Sequence, residues 1–198
     1  MKNVLQLVAA LLIAVQLNSQ EKNVETESVT LDSLITFIVE HFNADSENNQ
    51  NVTFLVKTYN DDFTQEDKII LKQAFILLSR RMQEDDFLSI VSYSNYNGIV
   101  LKQTESKDLK NILYALEHPK TSIKTFGDDG IELAYDYTKE NYVEDYENKV
   151  VMIRMPKRAK RVDNNLVIDA KSKNKGNGAA VVLSALAILP EIISVIKN

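Results

Sequence analysis

The chain contains no cysteine among its 198 residues. That excludes disulfides, thiol nucleophiles, thiolate zinc sites and lipid attachment through an amino-terminal cysteine. Histidine is almost as scarce. His41 and His118 are far apart in sequence, which argues against a histidine-rich metal site and makes each a surface or helix-end residue. No G-x-S-x-G elbow, Walker-type loop or G-x-G-x-x-G occurs, so the common nucleophile and phosphate-binding signatures are absent. Net positive charge is missing too. The formal charge is −5, and losing residues 1–20 would remove only Lys2 and make it more negative. That balance argues against nucleic acid as the partner. What is present is ordinary: 44% apolar and 26% charged residues, enough for one medium domain with a real core.

Residues 1–20 have the pattern of a secretory signal peptide. Lys2 gives the charged start, an apolar run from Val4 to Leu17 follows, and Asn18-Ser19-Gln20 forms a polar exit. The run is short for a membrane span, and an uncleaved anchor is the alternative. The expected location is exported, either periplasmic or extracellular. Residues 21–28 are polar and read as loose. Leu31, Leu34, Ile35, Ile38 and Phe42 mark one face of a helix over 31–42, and the Asn- and Ser-rich 43–51 reads as a loop. The stretch 21–51 is thus an N-terminal helix and linker.

From 52 onward, strand and helix signals alternate. Residues 52–58 (VTFLVKT) form a nearly continuous apolar run suited to a strand covered on both faces. Thr64, with Asp67 three residues on, is an imperfect capping box for a long helix through Ile69, Phe75, Leu78 and Met82. A second strand covers 87–93. Residues 94–98 turn the chain, with Asn97-Gly98 supplying residues that tolerate positive φ. A short strand at 99–101 and a helix capped by Ser106 follow. Asp128 or Asp129 opens a helix over 130–141, and 149–154 (KVVMIR) is a buried-type strand stopped by Pro156. The pattern predicts an α/β three-layer sandwich: a mostly parallel central sheet, one antiparallel edge strand and helices on both faces.

The remainder differs. Residues 157–178 form a basic linker containing Lys157, Arg158, Lys160, Arg161, Lys171, Lys173 and Lys175. Residues 179–198 form an apolar C-terminal helix whose run at 179–196 is interrupted by Pro190-Glu191. Its length allows a marginal membrane helix. The basic cluster would then sit on the exported side, against the positive-inside tendency. The open alternatives are membrane contact through 179–196 and packing of that helix on the domain.

Three scaffold segments carry a family resemblance. They are Lys72-Gln73-Ala74-Phe75, Asp86-Phe87-Leu88-Ser89-Ile90-Val91-Ser92-Tyr93 and Gly130-Ile131-Glu132-Leu133-Ala134-Tyr135. In order and spacing they resemble the bacterial exported type of von Willebrand factor type A (VWA) domain, over about residues 52–156. The resemblance implies a Rossmann-like sheet, truncated here because such domains continue with further strands and only 166–170 looks strand-like afterwards. It also implies a binding function and a metal-ion-dependent adhesion site. On that alignment Lys57 stands where the first metal-binding Asp belongs. Tyr59 and Asp61 stand at two serines, Thr125 at the loop threonine, and Met155 at the second Asp. Only Thr125 is kept, with Asp61 a plausible oxygen donor.

The chemistry of these replacements opposes a metal. Mg²⁺ is held by oxygen ligands. A charged lysine cannot ligate it, and a like unit charge at 4 Å costs about 4 kcal/mol even at an effective dielectric of 20. Methionine is too soft a donor. The expectation is therefore a degenerate site with no cofactor, no metal and no enzymatic activity. The candidate binding residues are Lys57, Asp61, Asp62, Thr125, Asp128 and Arg154. Lys57 either replaces the cation, facing Asp61, Asp62, Asp128 or an acidic group of a partner, or is a solvated strand-end residue. The partner expected is another protein. Asp61-Asp62 and Asp128-Asp129 read as helix-start residues rather than acid–base pairs. Tyr135, Tyr137, Tyr142 and Tyr146 read as either packing or an interface. The oligomeric state is left open.

Overall fold

A computed structural model describes residues 22–58 and 63–155 of the chain. The expected signal peptide, the loop residues Tyr59, Asp61 and Asp62, the strand at 166–170, the basic linker and the apolar segment all lie outside the described residues. The elements begin with β1 (Glu25–Thr30), which leads through a 3-10 turn (Leu31–Ser33) into α1 (Leu34–His41). Next come β2 (Gln50–Lys57), α2 (Gln65–Arg81), β3 (Phe87–Tyr93) and β4 (Gly98–Glu105). They are followed by α3 (Leu109–Glu117), α4 (Pro119–Ser122), β5 (Thr125–Phe126), α5 (Gly130–Glu140) and β6 (Glu147–Arg154).

The strands form one six-stranded sheet in the order β1-β6-β2-β3-β4-β5. Its β1-β6, β6-β2 and β2-β3 pairs are parallel, and β4 is antiparallel to both neighbours. The expected α/β class with a mostly parallel sheet and helices on both faces is what the chain forms. Period-two alternation sorts each strand between two cores. On one face, α1, α2 and α3 bring Leu34, Ile38, Leu71, Phe75, Leu78 and Ile112 onto Phe54, Val56, Ile90 and Ile153. On the other, α5 brings Ala134 and Tyr137 onto Leu55, Val91, Ile99 and Val150. β2 lies in the middle and is buried from Gln50 to Val56, which is why its sequence is a continuous apolar run rather than an alternating one. Phe54 and Phe75 meet edge-on at 5.0 Å between centroids, each contributing about 1.5–3 kcal/mol through burial.

Several expectations need correction. The stretch 21–28, read as loose, holds the first four residues of β1, an edge strand whose single buried residue is Val29. Its other side chains are Glu, Thr and Ser, so it carries almost no apolar signal, and pairing with β6 is what orders it. The helix expected from 31 starts at Leu34, after the 3-10 turn, and β2 begins at Gln50, inside the supposed loop. β4 is eight residues long. It is not the edge strand, because β5 pairs with its first two residues. Asp108, not Ser106, caps α3. Ser106 is buried and donates its hydroxyl to the Gln83 carbonyl at 2.7 Å. The positive φ in the β3–β4 turn belongs to Ser94 at 89°, and no described glycine has one. The Thr64–Asp67 capping box forms in full.

The amino ends of the strands are tied by Asp86, which is 2% exposed. It accepts the Gln50 and Gln83 backbone N–H groups, both at 2.7 Å. These two bonds fasten the start of β2 to the turn between α2 and β3. Beneath α5, Asn51 donates to Asn148 Oδ1 at 2.8 Å and to the Asn141 carbonyl at 2.9 Å. Gln103 donates to Asn51 Oδ1 at 3.0 Å. This buried amide chain anchors the end of α5 with its polar groups satisfied. Of the four clustered tyrosines Tyr137 is buried, and Tyr135, Tyr142 and Tyr146 are half-buried. Tyr137 accepts the Gln103 N–H at 2.7 Å, Tyr135 donates to Thr26 at 2.9 Å, and Tyr146 stacks on Phe87.

Candidate functional site at the carboxyl ends of the central strands

From β2 the chain steps outward to β3 and β4, then returns through α5 to place β6 on the other side of β2. The sheet order reverses at β2/β6. In open α/β sheets ligands bind outside the carboxyl ends of the strands at such a switch point. Here those ends carry Lys57 on β2 and Arg154 on β6. The register aligns Val56 with Ile153, Lys57 with Tyr93, and Arg154 with Thr30. One row therefore crosses the sheet as Thr30, Arg154, Lys57 and Tyr93, about 4.8 Å between neighbours. Residues in register share a face, and this row lies on the α5 side, as do Leu55 and Met152 below it. Lys57 is half-buried and Arg154 exposed. Neither belongs to an ion pair among the described residues.

Tyr93 closes the crevice between them. Its hydroxyl donates to the Ile153 carbonyl at 3.2 Å, so the side chain reaches from β3 past β2 to β6. Burial raises the phenol pKa, and the positive charge of Arg154 partly opposes that rise. The N-terminus of α5 presses against the same strand end. A Cβ on Gly130 would lie 2.6 Å from the Ser92 carbonyl oxygen and 2.8 Å from Tyr93 Cβ, so glycine is what permits the approach.

The surrounding loops are held by side chains. Thr58 donates to the Tyr93 carbonyl at 2.6 Å and accepts the Tyr96 N–H at 3.1 Å. Ser92 donates to the Tyr96 carbonyl at 2.7 Å. Asn97 accepts the Ser94 N–H at 3.1 Å and donates to the Asp128 carbonyl at 2.7 Å. It thereby holds Ser94 at a φ that side-chain-bearing residues seldom adopt.

The candidate residues separate into three groups. Lys57, Arg154 and Met155 lie at neighbouring strand ends. Asp128 is exposed just ahead of α5 and linked to the site through Asn97, while Asp129 caps the helix by accepting the Ile131 N–H at 2.7 Å. Thr125 is exposed on β5, three strand positions from β2, so the sheet does not bring its backbone to Lys57. Tyr59, Asp61 and Asp62 lie outside the described residues. Thr58, Tyr93, Ser94 and Asn97 were missed. Only the turn composition of Asn95-Tyr96-Asn97-Gly98 signals any of them in the sequence.

A metal fits this donor set poorly. Among the described residues no group of three or more His, Asp or Glu side chains could hold an ion. Lys57 presents an ammonium where a carboxylate would be needed. The cavity beside Val56, Lys57 and Thr58 lies on the α3 side of the sheet, against Ala115 and Leu116, and measures about 10 Å³, the space of a single water. A wider opening of about 550 Å³ faces the other end of the sheet, lined by Phe87, Gln103, Thr104 and Lys107 among others. It is solvent-open, and none of the residues singled out above as candidates lines it. The chain matches no family model and no curated protein.

Proposed function

We propose that this protein is a non-enzymatic, exported protein-binding module on a VWA-like domain that engages its partner without a metal. The observation that carries the reading is the Lys57–Arg154 cation pair at the switch point, with Lys57 where the resemblance would place the first metal-binding Asp and Arg154 next to Met155, which stands at the second. The strand order supports the family part. Counted from β2, with the two-residue β5 beyond β4 set aside, the order β4-β3-β2-β6 reads 3-2-1-4, the first four positions of a doubly wound sheet, with β4 running antiparallel. The next position, where the family would continue with a later strand, is taken by β1 from the other end of the chain. The test is capture of partners from envelope extracts by the full chain. Capture should be equal in EDTA and in Mg²⁺, and dependence on Mg²⁺ would refute the reading.

A second reading, a membrane-associated accessory protein, rests on the apolar run at 179–196. Its test is deletion of 176–198, which should release the protein from membranes. Identical fractionation with and without the segment would exclude anchoring.

A further inference from the structure

The cation row has a chemistry of its own, and this inference rests on the metal-independent reading above. Lys57 and Arg154 are adjacent in register and on one face, without ionic partners among the described residues. Like charges on neighbouring strands destabilise the sheet. The arrangement becomes favourable when an anion bridges them. Arg154 offers a planar fork suited to two oxygens of one group, and Lys57 a point charge one strand away. Beyond Arg154, the α5-side face of β1 is a polar shelf of Thr26, Ser28 and Thr30, with Thr26 and Ser28 exposed. α5 reaches this shelf at Thr26, which accepts the Tyr135 hydroxyl, while Ser28 stays exposed and leaves that end of β1 open to an extended segment.

The surroundings select the kind of anion. Asp128, Asp129, Glu132 and Asp136, at the start of α5 and along it, are all exposed on the same side of the sheet. A uniformly anionic surface such as a lipid headgroup layer would meet these acids wherever it met the two cations. A single carboxylate on an otherwise neutral stretch of chain would not. We propose that Lys57 and Arg154 together grip an Asp or Glu carboxylate of an extended segment of the partner, with Tyr93 as the floor and β1 as the shelf.

The probe is a fluorescein-labelled ten-residue Gly/Ser peptide with one central Glu, measured by anisotropy against the full chain at low salt. Lys57→Gln and Arg154→Gln should each weaken binding about tenfold, the effect of losing one charge-assisted hydrogen bond. Lys102→Gln on β4 should leave it unchanged, as should Lys160→Gln in the basic linker. Unchanged far-UV circular dichroism and urea midpoint would show that the variants fold.

Peptide affinity insensitive to Lys57→Gln and Arg154→Gln overturns the proposal. So does equal loss from Lys160→Gln, which would mark non-specific attraction, or binding of phosphatidylglycerol vesicles through Lys57 and Arg154 with no binding of the peptide. EDTA-resistant capture of a protein partner that survives the double substitution would leave the module reading standing and remove the carboxylate grip. Capture that needs Mg²⁺ would remove both.

Discussion

Replacing Gly130 by alanine tests how α5 is seated against the candidate site. The added Cβ would lie 2.6 Å from the Ser92 oxygen, 2.8 Å from Tyr93 Cβ and 2.9 Å from Tyr93 Cα. None of these atoms is the end of a flexible side chain. They belong to β3, which is hydrogen-bonded on both sides within the sheet, so the helix must move. Reaching ordinary contact requires a retreat of roughly 0.8 Å, which loosens Ala134 and Tyr137 from Leu55, Val91 and Val150. Overpacking of this kind costs about 1–3 kcal/mol. Alanine's better helix propensity returns at most about 1 kcal/mol, and less at the first helical position. The expected net destabilisation is about 1–2 kcal/mol, read as a lower urea midpoint at unchanged m-value by far-UV circular dichroism. Wild-type or greater stability for Gly130→Ala would refute the close approach of α5 to β3.

Two further substitutions probe the scaffold. Asp86→Ala leaves the Gln50 and Gln83 N–H groups without their charged acceptor, and a loss of about 2–4 kcal/mol is expected in the same titration; a loss below 1 kcal/mol would contradict the assigned role. Glu147 has its pKa lowered chiefly by its hydrogen bond with Lys149, at 2.8 Å, and also by Asn48. A lowered folded-state pKa means that its contribution is present above the unfolded carboxylate value. That contribution is lost as pH falls through the lower folded value. The urea-midpoint difference between wild type and Glu147→Gln should therefore shrink on acidification, and a difference that stays constant from neutral pH to pH 3 would contradict this.

What could be read from the sequence follows from where the apolar signal lies. β2, β3 and β6 are buried on both faces, so their runs stand out, and α2 announces itself with Thr64 and Asp67. β1 is silent because an edge strand needs few apolar residues and here has one buried, Val29. Its place beside β6 depends on a pairing across more than a hundred residues, which no local pattern encodes. β5 is too short to show any period. The site was legible in part. Lys57 and Arg154 could be named as strand ends, but their adjacency depends on sheet order. Tyr93 looked like the last residue of a strand until its reach to Ile153 was known. The ties made by Thr58 and Asn97 are tertiary hydrogen bonds with no sequence signature.

On the proposed reading, Lys57 and Arg154 put fixed positive charge at the switch point, where the resembled family would hold a metal. The direct measurement is a Mn²⁺ titration of the full chain followed by NMR line broadening of the backbone amides. The account predicts no selective broadening at Lys57, Tyr93, Ser94 and Arg154 relative to amides elsewhere in the sheet. Saturable broadening centred on those residues and reversed by Mg²⁺ would contradict it.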